Sequence, residues 1–128
     1  MYDTSGSVAI LHHGPYLVVS IRAALDDTQM VRLHRELGQA LSRRRVRGVL
    51  IDVAALDVLD SFTSRNICDI AEMARFRGAT PIIVGVEPSL ALSMVRLGID
   101  TAGLGTALDL SDGFEVMPEH EGSERDGR

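Results

Sequence analysis

The chain reads as one α/β domain, a mixed β-sheet packed with about four helices over residues 8–117. Three observations predict this class. Apolar runs of strand composition alternate with segments whose apolar residues recur every three or four positions, in the order β-β-α-β-α-β-α, then a weak strand and a last helix. The length of 128 residues, 45% of them hydrophobic, supplies a core for one domain and is short for two. The strand–helix–strand units from Val49 onward call for parallel pairing with right-handed crossovers.

The first elements are a β pair. Val8 to Leu11 and Tyr16 to Ile21 have strand composition, and His12, His13, Gly14 and Pro15 between them suit a hairpin connection. Asp26 and Asp27 then give an acidic start to an amphipathic helix in which Met30, Leu33, Leu37, Ala40 and Leu41 form the packing face. Val49, Leu50, Ile51 and Val53 make a short apolar strand of the kind that is covered on both faces. Helical spacing of Phe62, Ile67, Ile70, Ala71 and Ala74 follows, and Gly78 supplies a left-handed stop. Thr80 to Val86 is the next strand, and Pro88 suits the first turn of a helix packed through Leu90, Ala91, Met94, Val95 and Leu97 and ending near Gly98. A weak strand is expected near Leu104, and a short helix over Asp109 to Met117 capped by Asp109 or Ser111. Residues 1–7 form an N-terminal segment, and the acidic stretch 118–128 has the composition of a disordered tail.

Charge and cysteine content narrow the function classes. A formal net charge of −5 and a pI near 5.2 argue against nonspecific nucleic-acid binding. Arg43, Arg44, Arg45 and Arg47 are a local exception, which the end of a solvated helix accounts for, since cations are favoured at helix C-termini. The single cysteine, Cys68, falls in a helical pattern as a small buried hydrophobe, and with no secretory leader in view the expected compartment is the reducing cytoplasm. No apolar run approaches the roughly 20 residues of a membrane span.

The stretch VLIDVAALDVLDSFTS, from Val49 to Ser64, carries the most specific signal. A strand runs into a turn marked by Asp57 and Asp60 and delivers Ser61 to the first turn of a helix. Ser61 is a candidate N-cap, worth about 1 kcal/mol against alanine. The same placement suits phosphorylation, because unpaired N–H groups and the helix dipole favour an added anion while Asp57 and Asp60 repel it. A partner docked around Asp57, Asp60, Ser61 and Phe62 would then be released by modification.

The run IDVAALDVLDSFTSR resembles the strand-loop-helix signature of the STAS family, the domain of anti-sigma-factor antagonists and sulfate transporters. VSIRAALDD, RFRGATPIIVG and VEPSLALSMVRLGID extend the resemblance over nearly all of Val8 to Met117. Within the family, the LDD entry to the first helix and the GVEPSLALSMVRLGI stretch are most similar to stressosome members of the RsbS scaffold type. With only seven residues before Val8, the expectation is the scaffold rather than a sensor paralogue carrying a separate sensory domain.

The resemblance implies a non-enzymatic protein without a cofactor. Such a scaffold co-assembles with RsbR-type sensor paralogues into a large particle, sequesters an RsbT-type serine/threonine kinase, and releases it when the scaffold serine, here Ser61, is phosphorylated; an RsbX-type phosphatase resets it. Ser93 is a second candidate modification site, beside the plainer reading of a helix serine bonded to the preceding turn. The alternative within the family is a free-standing anti-anti-sigma factor that binds its kinase without forming a particle. Readings from other classes fare worse. Ser61 lacks the G-x-S-x-G context of a hydrolase nucleophile, and none of His12, His13, His34 and His120 stands at a strand end where a triad partner is expected. His12 and His13, adjacent on an extended segment, point to opposite faces and do not form a metal site. The chain also lacks a G-x-x-x-x-G-K-[ST] loop, and Gly103-Leu104-Gly105 is a weak nucleotide signal.

Overall fold

A computed structural model describes residues 7–56, 60–87, 92, 94, 96 and 105–117. Among the described residues five strands form one sheet in the order β1-β2-β3-β4-β5. They are β1 (Val8–His13), β2 (Tyr16–Ile21), β3 (Gly48–Asp52), β4 (Thr80–Val84) and β5 (Gly105–Ala107). The helices assigned among the described residues are α1 (Asp27–Arg43), α2 (Ser61–Phe76) and α3 (Leu110–Val116). β1 pairs antiparallel with β2, and every later pairing is parallel, so the sheet is mixed as the element order predicts.

The first strand is longer than its composition suggests. β1 runs through His12 and His13, with His13 opposite Tyr16, so the turn is Gly14-Pro15 alone. The two histidines face opposite sides of the sheet, as a period of two requires. His13 stacks on Phe114 with ring centroids 4.4 Å apart, whereas His12 is half-buried on the other side.

The sheet is covered unequally. Val8, Ile10, Leu17, Val19, Ile21, Val49, Ile51 and Ile83 point to the α1/α2 face, where they meet Met30, Leu33, Leu37, Ala40 and Leu41 of α1 and Ile67, Ile70, Ala71 and Ala74 of α2. Val18, Leu50, Ile82 and Val84 point the other way, to a smaller cluster closed by Met117 with Leu110 and Phe114. Alternate residues of β3 therefore enter different cores, and Val49, Leu50 and Ile51 are all fully buried. The helix expected from Pro88 falls largely outside the described residues; Leu92, Met94 and Arg96 are helical, and Met94 is buried with the α1/α2 core.

Caps define the helix starts. Asp26 caps α1 in a capping box with Gln29, and Asp109 caps α3 through the Asp112 N–H. α2 ends where expected: Arg77 is its C-cap, and Gly78, at φ 81°, takes the left-handed backbone that a side chain disfavours. Cys68 departs from expectation. It is half-buried rather than buried, and burial first, with Asp69 and Glu72 adding to it, pushes its thiol up, toward the neutral form. No described helix is long and apolar enough to cross a membrane.

Candidate functional site

The C-terminal ends of β3 and β4 build the platform for Ser61. Asp52 closes the end of β3 by accepting the Ala54 N–H at 3.0 Å, and the Val53 N–H donates to the Val84 carbonyl at 3.0 Å. The Leu56 N–H donates back to the Val53 carbonyl, which tightens the turn. Gly85, at φ 86°, lets the chain leaving β4 run against this turn: a Cβ there would stand 2.7 Å from Ala54 Cβ and 2.8 Å from Ala54 Cα. The Gly85 N–H meanwhile donates to Ala107 of β5, so one residue couples the turn before α2 to the far edge of the sheet.

The cap of α2 is Asp60, which corrects the assignment of Ser61 to that position. Asp60 has extended backbone (φ −87°, ψ 172°), and its carboxylate accepts the Thr63 N–H at 2.7 Å. Its carbonyl accepts both the Ser64 N–H and the Ser64 hydroxyl. The Thr63 N–H, with the Thr63 hydroxyl adding to it, holds the Asp60 carboxyl below the ordinary carboxylate range. That hydroxyl stands close to the carboxylate without completing a well-formed bond. An aspartate in this role does what a serine cap would do and leaves the serine hydroxyl out of it.

Ser61 is thus the first residue of the helix, exposed, and its hydroxyl makes no hydrogen bond among the described residues. Thr63 and Ser64 spend their N–H groups on Asp60, so the free N–H groups nearest the Ser61 side chain are those of Ser61 and Phe62. Phe62 presents a 39% exposed ring beside it. Four residues on, Arg65 is exposed, makes no ion pair among the described residues and stands on the same helix face as Ser61. The sequence reading did not single out Arg65, although the i, i+4 spacing contains it. The structure brings Asp60, Ser61 and Phe62 together; Asp57 and Ser93 lie outside the described residues.

The inward side of the same helix is fixed. Thr63, Ser64 and Asn66 are all buried, below 5% exposure, and Ile67 and Ile70 lock the helix onto the sheet. Ser61 thus stands exposed on a first turn whose inward side is packed. Among the described residues no group of three His, Cys, Asp or Glu side chains is placed to hold a metal ion.

A model of the STAS domain matches residues 7–111. The chain belongs to the STAS family. RsbT co-antagonist protein RsbRA of Bacillus subtilis is 28% identical over 102 residues, which are 80% of this chain and 37% of that protein. RsbRB of the same organism is 30% identical over 73 residues. The chain thus spans about a third of the length of the curated relatives it matches. Among solved structures, a serine-to-glutamate variant of RsbS from Moorella thermoacetica superposes with a TM-score of 0.76 at 31% identity, over 84% of this chain and 92% of that one. A chain from the molecular architecture of the stressosome superposes with a TM-score of 0.72 at 29% identity, over 84% and 93%. An anti-sigma factor antagonist of Thermotoga maritima, at 10% identity and a TM-score of 0.68, shares the fold. The STAS domain is therefore similar to those of the stressosome proteins it matches.

Proposed function

We propose that this STAS protein is a non-enzymatic signalling scaffold of the RsbS type. It co-assembles with RsbR-type paralogues into a stressosome in the cytoplasm and holds an RsbT-type serine/threonine kinase on the surface around Asp57, Asp60, Ser61 and Phe62. Phosphorylation of Ser61 releases the kinase, and an RsbX-type phosphatase restores the docking state. The observation that supports this reading best is the Ser61 hydroxyl, exposed at the first position of α2 and without a hydrogen bond among the described residues because Asp60 has taken over the cap.

The chemistry of release follows from the position. A phosphate adds a charge of about −1.5 to −2 and three acceptor oxygens. The free N–H groups of the first turn and the Arg65 guanidinium stabilise it on the domain, so the helix keeps its fold. The same charge beside the Asp60 carboxylate turns a mixed surface strongly anionic. A kinase surface complementary to the unmodified patch loses a few kcal/mol on modification, roughly a hundredfold in affinity. Ser61→Ala retains the kinase under conditions that release it from wild type, and Ser61→Asp binds it more weakly. Equal kinase affinity for wild type and Ser61→Asp counts against charge repulsion as the switch.

Phosphopeptide mapping of size-fractionated native material, with and without stress, tests the whole reading. Stress-dependent phosphate on Ser61 in megadalton-sized fractions is the expected result. Phosphate on Ser61 confined to small complexes would identify a free-standing anti-anti-sigma factor instead, and no phosphate under any condition would remove the switch. The same spectra report on Ser93, the second proposed site.

A further inference from the structure

The chain leaves its described fold in the middle of an arginine surface. Met117, the last residue described, is 4% exposed and closes the smaller core with Val18, Leu50, Ile82 and Val84. Its side chain lies against Gly48 at the start of β3, where a Cβ would collide with it. Gly48 pairs in register with Tyr16 of β2 and with Thr80 of β4, so residues 118–128 set out from the N-terminal ends of three parallel strands.

Four arginines converge on that place from two loops. Arg44, Arg45 and Arg47 lead into β3, and Arg77 leads into β4. The Thr80 N–H donates to the Arg47 carbonyl at 3.0 Å and the Arg47 N–H to the Pro15 carbonyl at 2.8 Å, which ties both loops to the hairpin turn. An ordinary solvated helix end accounts for Arg44 but not for Arg77, which follows a different helix. Arg44, Arg45 and Arg77 are exposed, Arg47 is half-buried, and none of the four makes an ion pair among the described residues. The carboxylates of the adjoining helix ends do not answer them. Glu72 is held by Arg75 at 3.7 Å, and Glu115, exposed on α3, pairs with no described cation.

The stretch that starts here has the complementary charge. Residues 119–126 hold Glu119, Glu121, Glu124 and Asp126 against one cation, Arg125. Arg45 stands three residues before Gly48 and Arg77 three before Thr80, so their backbones lie within about 11 Å of those strand ends. Extended chain covers about 14 Å from Met117 to Glu121 and about 25 Å to Glu124, which is enough to cross both loops. We propose that residues 118–128 fold back across Arg44, Arg45, Arg47 and Arg77 and close that surface to carboxylate-rich partners. Arginine pairs with carboxylates in a bidentate fork, and attachment to the domain keeps the acidic stretch at high effective concentration. A carboxylate segment from a second copy has no such advantage, because two chains of net charge −5 repel. The contact does not depend on Ser61 being a phosphorylation site.

A nitroxide on S123C in a C68S background of the full chain tests it by paramagnetic broadening of amide resonances. In 25 mM NaCl the amides of residues 44–48 and 77–80 relax at least threefold faster than in 500 mM NaCl, and E119Q/E121Q/E124Q/D126N abolishes the difference. Equal broadening at both salts, or in the neutralised variant, is what an undocked chain end gives and overturns the proposal. Broadening of an isotope-labelled chain by a nitroxide on a different molecule would assign the surface to a second copy and also overturn it. Polyglutamate supplies a second reading. A segment docked nine-tenths of the time weakens an outside ligand about tenfold, so E119Q/E121Q/E124Q/D126N binds polyglutamate more tightly by about that factor. R44Q/R45Q/R77Q removes this gain, which separates docking from general repulsion. A gain below threefold, or one that persists without the three arginines, overturns the proposal.

Discussion

Gly85→Ala is the substitution that most directly tests how the serine is held in place. Two costs add at this residue. At φ 86° an L side chain costs about 1–2 kcal/mol. The new methyl would also stand 2.7–2.9 Å from Ala54 Cβ, Cα and N, and that turn cannot withdraw freely while it bonds Asp52 and Val84; overpacking of this kind costs about 1–3 kcal/mol. The stiffer unfolded chain returns about 0.4–1 kcal/mol. The net loss is roughly 2–4 kcal/mol, a large part of the ~5–15 kcal/mol that holds a domain together. With no tryptophan in the chain, urea unfolding followed by far-ultraviolet circular dichroism is the suitable assay. For a slope near 2 kcal/mol/M the midpoint falls by about 1–2 M. A midpoint within about 0.2 M of wild type at unchanged slope would show that the turn before α2 yields cheaply and is not pinned by β4.

The remaining expectations concern the cap, the serine and one histidine. Asp60→Ala lowers stability by about 1 kcal/mol, or roughly 3–5 °C in melting temperature, whereas Asp60→Asn retains most of the cap at neutral pH. Because the folded Asp60 carboxyl is held below 3.8, the advantage of wild type over Asp60→Asn is present above that value and fades as pH falls through the lower folded value; an advantage that grows in acid would contradict the sign. Ser61→Asp places a carboxylate at the first position of α2, where the helix dipole favours it by about 0.3–1 kcal/mol, so the free domain melts no lower than wild type even as kinase binding falls. A melting temperature several degrees lower would mean that Ser61 has a structural role that its exposed hydroxyl does not suggest. Burial first, and then the charge of Arg44, push the His12 imidazole below 6.5, so its contribution is intact above that pH and is lost as pH falls through the lower folded value. His12→Gln should therefore flatten the pH dependence of stability below pH 6.5, read from melting curves at matched salt.

Much of the fold was legible because periodicity and caps agreed. In α1, five apolar residues at helical spacing, an acidic start and a glutamine three positions after Asp26 all point to the same helix, and all five are buried. The α2 cap was harder. The run Asp60-Ser61-Phe62-Thr63-Ser64 offers two capping residues in succession, and neither register places a Glu or Gln three positions later to break the tie. Backbone conformation settles it for Asp60, and this one-residue shift changes Ser61 from a structural group to an available one. β1 was cut short in the sequence reading because histidines before Gly-Pro look like turn residues, yet pairing of His13 with Tyr16 needs only a two-residue connection. The unequal covering of the sheet was not legible at all. A strand such as β3, apolar at every position, does not announce which of its side chains meets two long helices and which meets a short one.

That inequality sets an order of opening. Among the described residues, the side holding α1 and α2 joins twenty-two buried residues in one cluster, while the side under α3 joins five. Native-state exchange with deuterium should release the α3 amides first, in a partial opening that leaves the larger cluster intact, and the amides of β3 and the body of α2 only when the whole domain unfolds. On this expectation the serine rides on the helix of the larger described cluster, which opens later than α3. If Ser61 is phosphorylated as proposed, the mark is carried by a surface that persists between rare global openings, and whatever reads it meets one shape in two charge states.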